Sequence, residues 1–196
     1  QTRYFLLREV PFGNDGDFSR RSMVARMNNE LANDYGNLAQ RVLSMIAKNL
    51  NGVTPTPGEF TAEDRALLDA AEALPATLRP LLDAQAFNEA LDRIWIVIRA
   101  SNGYVDRQAP WALRKTDPDR MGTVLYVLAE TIRRLAIMTQ PFMPDASAAM
   151  LDLVAAPVDA RDLSAVANAP LAAGTVLPPP VGIFPRYVGD ETEDPA

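Results

Sequence analysis

Three positions at four-residue steps, Asn33, Asn37 and Arg41, form one stripe along a helix. Amides ending in a guanidinium suit hydrogen bonding to nucleobase edges. Asparagine is a mediocre helix former, yet Asn28, Asn29, Asn33, Asp34 and Asn37 crowd this one region. The other use for such amides is to cap loops or to pair with other helices. A second cluster surrounds Pro110-Trp111, an indole at the mouth of a tight turn with Arg107, Gln108, Arg114 and Lys115 beside it. Stacking of a base on an aromatic ring is worth about 1–3 kcal/mol. The competing reading is that Trp111 plugs the end of a helix bundle, as Trp95 plugs its middle.

Most other chemistry is excluded by composition. The 196 residues contain no cysteine and no histidine. Disulfides, thiol nucleophiles, zinc ribbons and Ser-His-Asp catalysis are therefore absent. Only two lysines occur, Lys48 and Lys115. There is no glycine-rich phosphate loop. Asp69 and Glu72 stand three apart, but they read as a solvated helix face rather than a metal site, and no metal is expected. The net charge of −6 argues against non-specific nucleic-acid binding and against DNA as a partner. However, Asp190, Glu191, Glu193 and Asp194 supply four of those charges, leaving −2 elsewhere. The cations are nearly all arginine, which stacks on bases and grips phosphates, so a local RNA site remains open. No apolar run is long enough to span a membrane. A start at Gln1 rather than Met implies a fragment or a trimmed chain, with a cytoplasmic origin as the default.

The elements that must position these groups are helical. Ser19 reads as an N-cap, with Asp17 nearby to favour the positive helix end. Met23, Met27, Leu31, Tyr35, Leu38, Val42, Met45 and Ile46 then mark one face of a helix stopped at Asn51-Gly52. A roughly 30-residue helix spans about 45 Å. Thr61 caps a second helix to about Leu82, bent or interrupted at Pro75 and Pro80. A third runs from about Gln85 to Val105, a short one opens at Pro110, and a fourth long helix covers about Asp117 to Thr139. A last short helix spans Asp145 to Val154. The Pro-rich remainder predicts extended chain, with Val181 to Tyr187 as a strand laid on the surface. Residues 1–18 are too short to bury themselves and should pack on something else, such as a domain preceding this chain. The expected fold is all-α, an antiparallel helical bundle.

These segments together resemble bacterial methionyl-tRNA synthetase, a class I family. The carriers are Arg3-Tyr4-Phe5-Leu6-Leu7-Arg8-Glu9-Val10-Pro11-Phe12-Gly13 and Leu31-Ala32-Asn33-Asp34-Tyr35-Gly36-Asn37-Leu38-Ala39-Gln40-Arg41. Further on come Asn102-Gly103-Tyr104-Val105-Asp106-Arg107-Gln108-Ala109-Pro110-Trp111, Gln140-Pro141-Phe142-Met143-Pro144 and Gly182-Ile183-Phe184-Pro185-Arg186. Residues 53–83 and 155–180 carry no such motif.

The resemblance implies that residues 1–18 end a stem-contact segment that follows a catalytic domain. Residues 19–154 would be the helical anticodon-binding domain, and 155–196 an extended tail. It matches Asn37 and Arg41 to an Asn and an Arg that meet the anticodon. Pro110 and Trp111 match a Pro-Trp pair whose Trp contacts anticodon bases. The implied partners are methionine tRNA, through its CAU anticodon, and the chain's own catalytic domain, but no membrane. Arg107, Arg114 and Lys115 extend this as phosphate contacts without a motif match. The His-Ile-Gly-His-type and Lys-Met-Ser-Lys-type ATP signatures are absent. ATP and Mg2+ are thus expected only in the catalytic domain, and this stretch should not form methionyl-adenylate. The alternatives are the bundle of a leucine, isoleucine, valine or cysteine synthetase, or a non-enzymatic helical interaction module.

Overall fold

The apolar run from Met23 to Ile46 forms one continuous helix in the computed structural model, which describes residues 1–16 and 18–189. The expected helix-end role of Asp17 and the acidic residues 190–194 lie outside the described residues. The long helix comprises α2 (Arg20–Arg26), a π-helical stretch (Met27–Gly36) and α3 (Asn37–Asn49). Ser19 caps it, its side chain accepting from the Ser22 N–H. Asn51 and Gly52 stop it with φ of 53° and 70°, and the Gly52 N–H donates to the Ile46 carbonyl at 3.2 Å.

The π-helical middle was not expected. Met27, Leu31 and Tyr35 recur every four residues, a spacing that drifts by about 40° per step around an α-helix. In wider turns the same spacing drifts the other way, offsetting the drift of the α-helical step from Met23, and Met27, Leu31 and Tyr35 are all buried.

Residues 1–9 differ from expectation. They form α1 (Thr2–Glu9), which packs on α6 (Phe87–Gln108) of this chain. The Tyr4 ring lies 4.9 Å from that of Trp95. The Tyr4 hydroxyl donates to Glu30, a buried carboxylate on the π-helical stretch. Arg8 and Arg26 pair with Glu30 at 3.3 and 2.8 Å. Burial pushes the Glu30 carboxyl up, but the Tyr4 hydroxyl and Arg8 outweigh it and hold the group below its usual range.

The expected second helix is two, α4 (Ala62–Glu72) and α5 (Leu74–Asp83). The break falls at Ala73, because Pro75 lacks an N–H and restricts the residue before it. Pro80 sits inside α5 without ending it. Thr61 does cap α4, in a reciprocal capping box with Asp64.

Then come α7 (Pro110–Thr116), α8 (Pro118–Thr139), α9 (Pro144–Leu153) and α10 (Ala165–Asn168). Val124, Leu128, Ile132, Leu135 and Met138 recur at helical spacing along one face of α8, and all are buried. From Met121 to Thr139, however, α8 is buried on every side, because it contacts α3, α4, α6, α7, α9 and α10. Three of its buried residues are charged. Arg133 and Arg134 reach Glu130 at 2.6 and 2.8 Å. The same groups hold the later chain: Arg133 donates to the Ala165 and Val166 carbonyls, and Glu130 accepts from the Leu171 N–H at 3.0 Å.

The strand expected at Val181 to Tyr187 is corrected. Among the described residues the only β pairing is an isolated bridge, Val53 with Val176. No sheet edge is available, so the Tyr187 backbone pairs instead with the Asn28 side chain, at 2.8 and 3.1 Å. Asn28 therefore takes the pairing role rather than a base-reading one. No helix among the described residues is long and apolar enough to cross a membrane.

Candidate nucleic-acid interface

Arg41 and Trp111 are 70 residues apart in sequence and adjacent in space. The Arg41 guanidinium carbon lies 5.7 Å from the Trp111 ring centroid. That is cation–π range. Arg41 also donates to the Asp106 carboxylate at 2.7 Å. Three elements thus converge: α3 supplies Arg41, the end of α6 supplies Asp106, and α7 supplies Trp111.

The indole is not sealed in the bundle; 49% of Trp111 is exposed. That removes the plug reading for Trp111. The reading holds for Trp95, which is fully buried. Pro110 is buried at the first turn of α7, where its missing N–H costs nothing, and Trp111 carries the surface. Asn37 lies one turn before Arg41 on α3, and Asn33 one turn before that. Both are exposed, and among the described residues neither side chain has a hydrogen-bond partner. A half-open indole under Arg41 can stack against a flat ligand, and the amides one and two turns before Arg41 on the same helix can bond a polar edge.

The flanking cations divide. Arg114 reaches the Asn49 side chain at 3.3 Å, which brings the end of α7 to the end of α3. Lys48 precedes Asn49, so both lysines of the chain lie near this end. Neither has an ionic partner among the described residues. Sequence reasoning did not place Lys48 here; nothing marks it until α3 and α7 meet. Arg107 instead turns to Glu63, at 3.8 Å.

Behind the site is a buried carboxylate, Asp64. It takes both arms of the Arg120 fork and the Tyr104 hydroxyl. Burial pushes its pKa up, but the Arg120 and Tyr104 hydrogen bonds outweigh that and hold it at about 2. Burial, and then Asp64 itself, pushes the Tyr104 hydroxyl above its usual range. The residues present do not fit ATP or Mg2+: there is no phosphate loop, and no described group of three acidic side chains could hold a metal.

Comparison with known proteins gives a consistent result. A family model described as the anticodon binding domain of methionyl tRNA ligase matches residues 54–195. It runs through the two stretches in which no motif was visible. A model of class I tRNA synthetases (M) matches residues 1–43. The chain is 56% identical over 188 residues to a methionine–tRNA ligase of Brucella melitensis, covering 96% of the chain and 36% of that protein. It is 50% identical over 197 residues to one of Mycobacterium leprae, covering 98% of the chain and 36% of that protein. Its fold superposes on the free methionyl-tRNA synthetase of Mycobacterium tuberculosis with a TM-score of 0.93 at 48% identity, covering 96% of this chain and 38% of that one. The methionyl-adenylate complex of that synthetase gives 0.91, also at 48% identity, covering 94% and 37%. The chain thus spans little more than a third of the length of these relatives. Both its sequence and its helix arrangement place it in one group: the chain belongs to the family of methionyl-tRNA ligase anticodon-binding domains.

Proposed function

We propose that this chain is the C-terminal, anticodon-reading part of a methionine–tRNA ligase and recognises the CAU loop of methionine tRNA. The carrying observation is the half-open Trp111 indole under Arg41, on the same helix as Asn37 and Asn33, whose amides have no partner among the described residues. In this reading an unstacked anticodon base lies against the open part of the Trp111 indole. Asn37 and Arg41 hydrogen-bond the base edge, and buried Pro110 fixes the turn. Arg114, Lys115 and Lys48 face the loop phosphates, with Arg107 further out on the α4 side.

Residues 1–18 act as the end of the stem-contact segment, 19–154 as the anticodon domain and 155–196 as its tail. Exposed Leu6, Phe12 and Phe18 support a neighbour, the catalytic domain, packed against the first segment. That domain carries out the ATP- and Mg2+-dependent attachment of methionine in the cytoplasm. The bundle holds the tRNA so that its acceptor end reaches that domain.

The test is binding of RNA stem-loops that differ only in the anticodon. A CAU loop should bind best, and Trp111→Ala should remove the preference while helix content is unchanged. Equal binding of CAU and leucine, isoleucine, valine or cysteine anticodons would end this reading, as would no binding at all.

A further inference from the structure

Burial holds only about half of Trp111, since 49% of it is exposed. Its direction depends on the turn before it. There Ala109 has φ 43° and ψ 58°, the left-handed region. A non-glycine residue in that region is strained, because its Cβ crowds the following carbonyl. Such a residue persists only where its surroundings over-determine it.

The surroundings here are specific. Gln108, immediately before Ala109, is gripped at both ends of its amide. Its Nε2 donates to Glu63 at 2.8 Å, and its Oε1 accepts from Arg120 at 2.7 Å. Arg120 is fixed by its fork on fully buried Asp64, with one arm at 2.7 Å. Asp64 also accepts from the Thr61 N–H at 2.9 Å and from the Tyr104 hydroxyl. One carboxylate therefore ties the start of α4, the end of α6 and the start of α8, and Gln108 connects that bracket to the strained turn.

We propose that Gln108 is a positioning residue: held between Glu63 and the Arg120–Asp64 pair, it locks the Ala109 turn and sets the direction in which Trp111 meets a base. The proposal rests on the anticodon-reading function above. Gln108 acts through Trp111 and does not itself touch RNA, because both polar ends of its amide are already engaged.

The chain has two tryptophans, so labelling with 5-fluorotryptophan gives two fluorine resonances. Solvent isotope shift identifies the exposed one. In Gln108→Ala the Trp111 resonance should move while that of Trp95 stays. Binding of a CAU stem-loop should weaken about tenfold, within the range for a misplaced stacking surface. Gln108→Glu keeps the acceptor for Arg120 but sets a carboxylate against Glu63, so it should recover only part of the loss. Movement of both resonances, or of neither, overturns the proposal, as does weaker binding with a stationary Trp111 signal, which would mean direct contact. If the unsubstituted chain fails to bind the CAU loop, the anticodon reading falls, while the fluorine spectra still decide the role of Gln108 in the turn.

Discussion

Trp95 and Trp111 lie on successive helices, 16 residues apart. Trp95 is at a helix-interior position between apolar neighbours. Its ring meets Tyr4 at 4.9 Å and Tyr35 at 6.3 Å, and none of it is exposed. It joins α1, the long helix and α6. Trp111 follows a left-handed residue and a proline, has charged neighbours, and carries the Arg41 guanidinium over its ring. The contrast shows that position decides use. A helix interior turns an indole into packing, whereas a constrained turn offers it to a ligand. The charged groups follow the same division. Glu30 and Asp64, well buried, gather arginines and hold elements together. Asn33, Asn37, Lys48 and Lys115 lie at the surface, their polar groups without a partner among the described residues.

The largest expected effect falls on the buried member. Trp95→Ala should lower stability by about 3–5 kcal/mol in denaturant unfolding, as for other large aromatic truncations. Trp111→Ala should change it by less than about 1 kcal/mol. Equal costs would abolish the contrast.

Acid unfolding probes the bracket behind the site. Asp64 stays ionised in the fold down to a pKa of about 2, against 3.8 ordinarily. Its contribution, about 2 kcal/mol, is complete above pH 4 and is lost as pH falls from about 4 to 2. Asp64→Asn should therefore be less stable at neutral pH, and its deficit should shrink across that window. A constant deficit would show that the ionised carboxylate is not what holds the helices.

On RNA the order of the two indoles reverses. Trp111→Ala should weaken binding of a CAU stem-loop by about 1–3 kcal/mol, measured by titration at fixed salt. A loss confined to Trp95 variants would reassign the surface. The smallest effect belongs to the lysines. Lys48→Ala and Lys115→Ala should each lower the slope of log affinity against log salt by about 0.7, with stability unchanged. Unaltered slopes would remove those two side chains from the phosphate path.

Much of this could be read from residue order because the signals are local. Caps at Ser19 and Thr61, the stop at Asn51-Gly52 and proline opening α7 each act within a few residues. The amide stripe and Trp111 could be named as candidates for the same reason, although family likeness was needed to choose between plug and platform. What stayed hidden depends on distant partners. Glu130, Arg133 and Arg134 look like a solvated charged patch until the later chain closes over them. The wide turns at Met27–Gly36 differ from ordinary helix by a drift too small to separate from mixed steps of three and four. Asn28 and Asn37 are the same residue type nine positions apart. Only the return of residues 181–187 shows that one is engaged and the other free.

The long helix runs as a single rod from the α1 contact to the α7 contact, and the class I synthetase match ends inside it, at residue 43. Adding or deleting one residue in such a rod changes its reach by only about 1.5 Å but turns its far end by about 100°. The rod therefore works less as a ruler than as a key shaft: its length has slack, while its angular setting, reset once by the wide turns in its middle, does not.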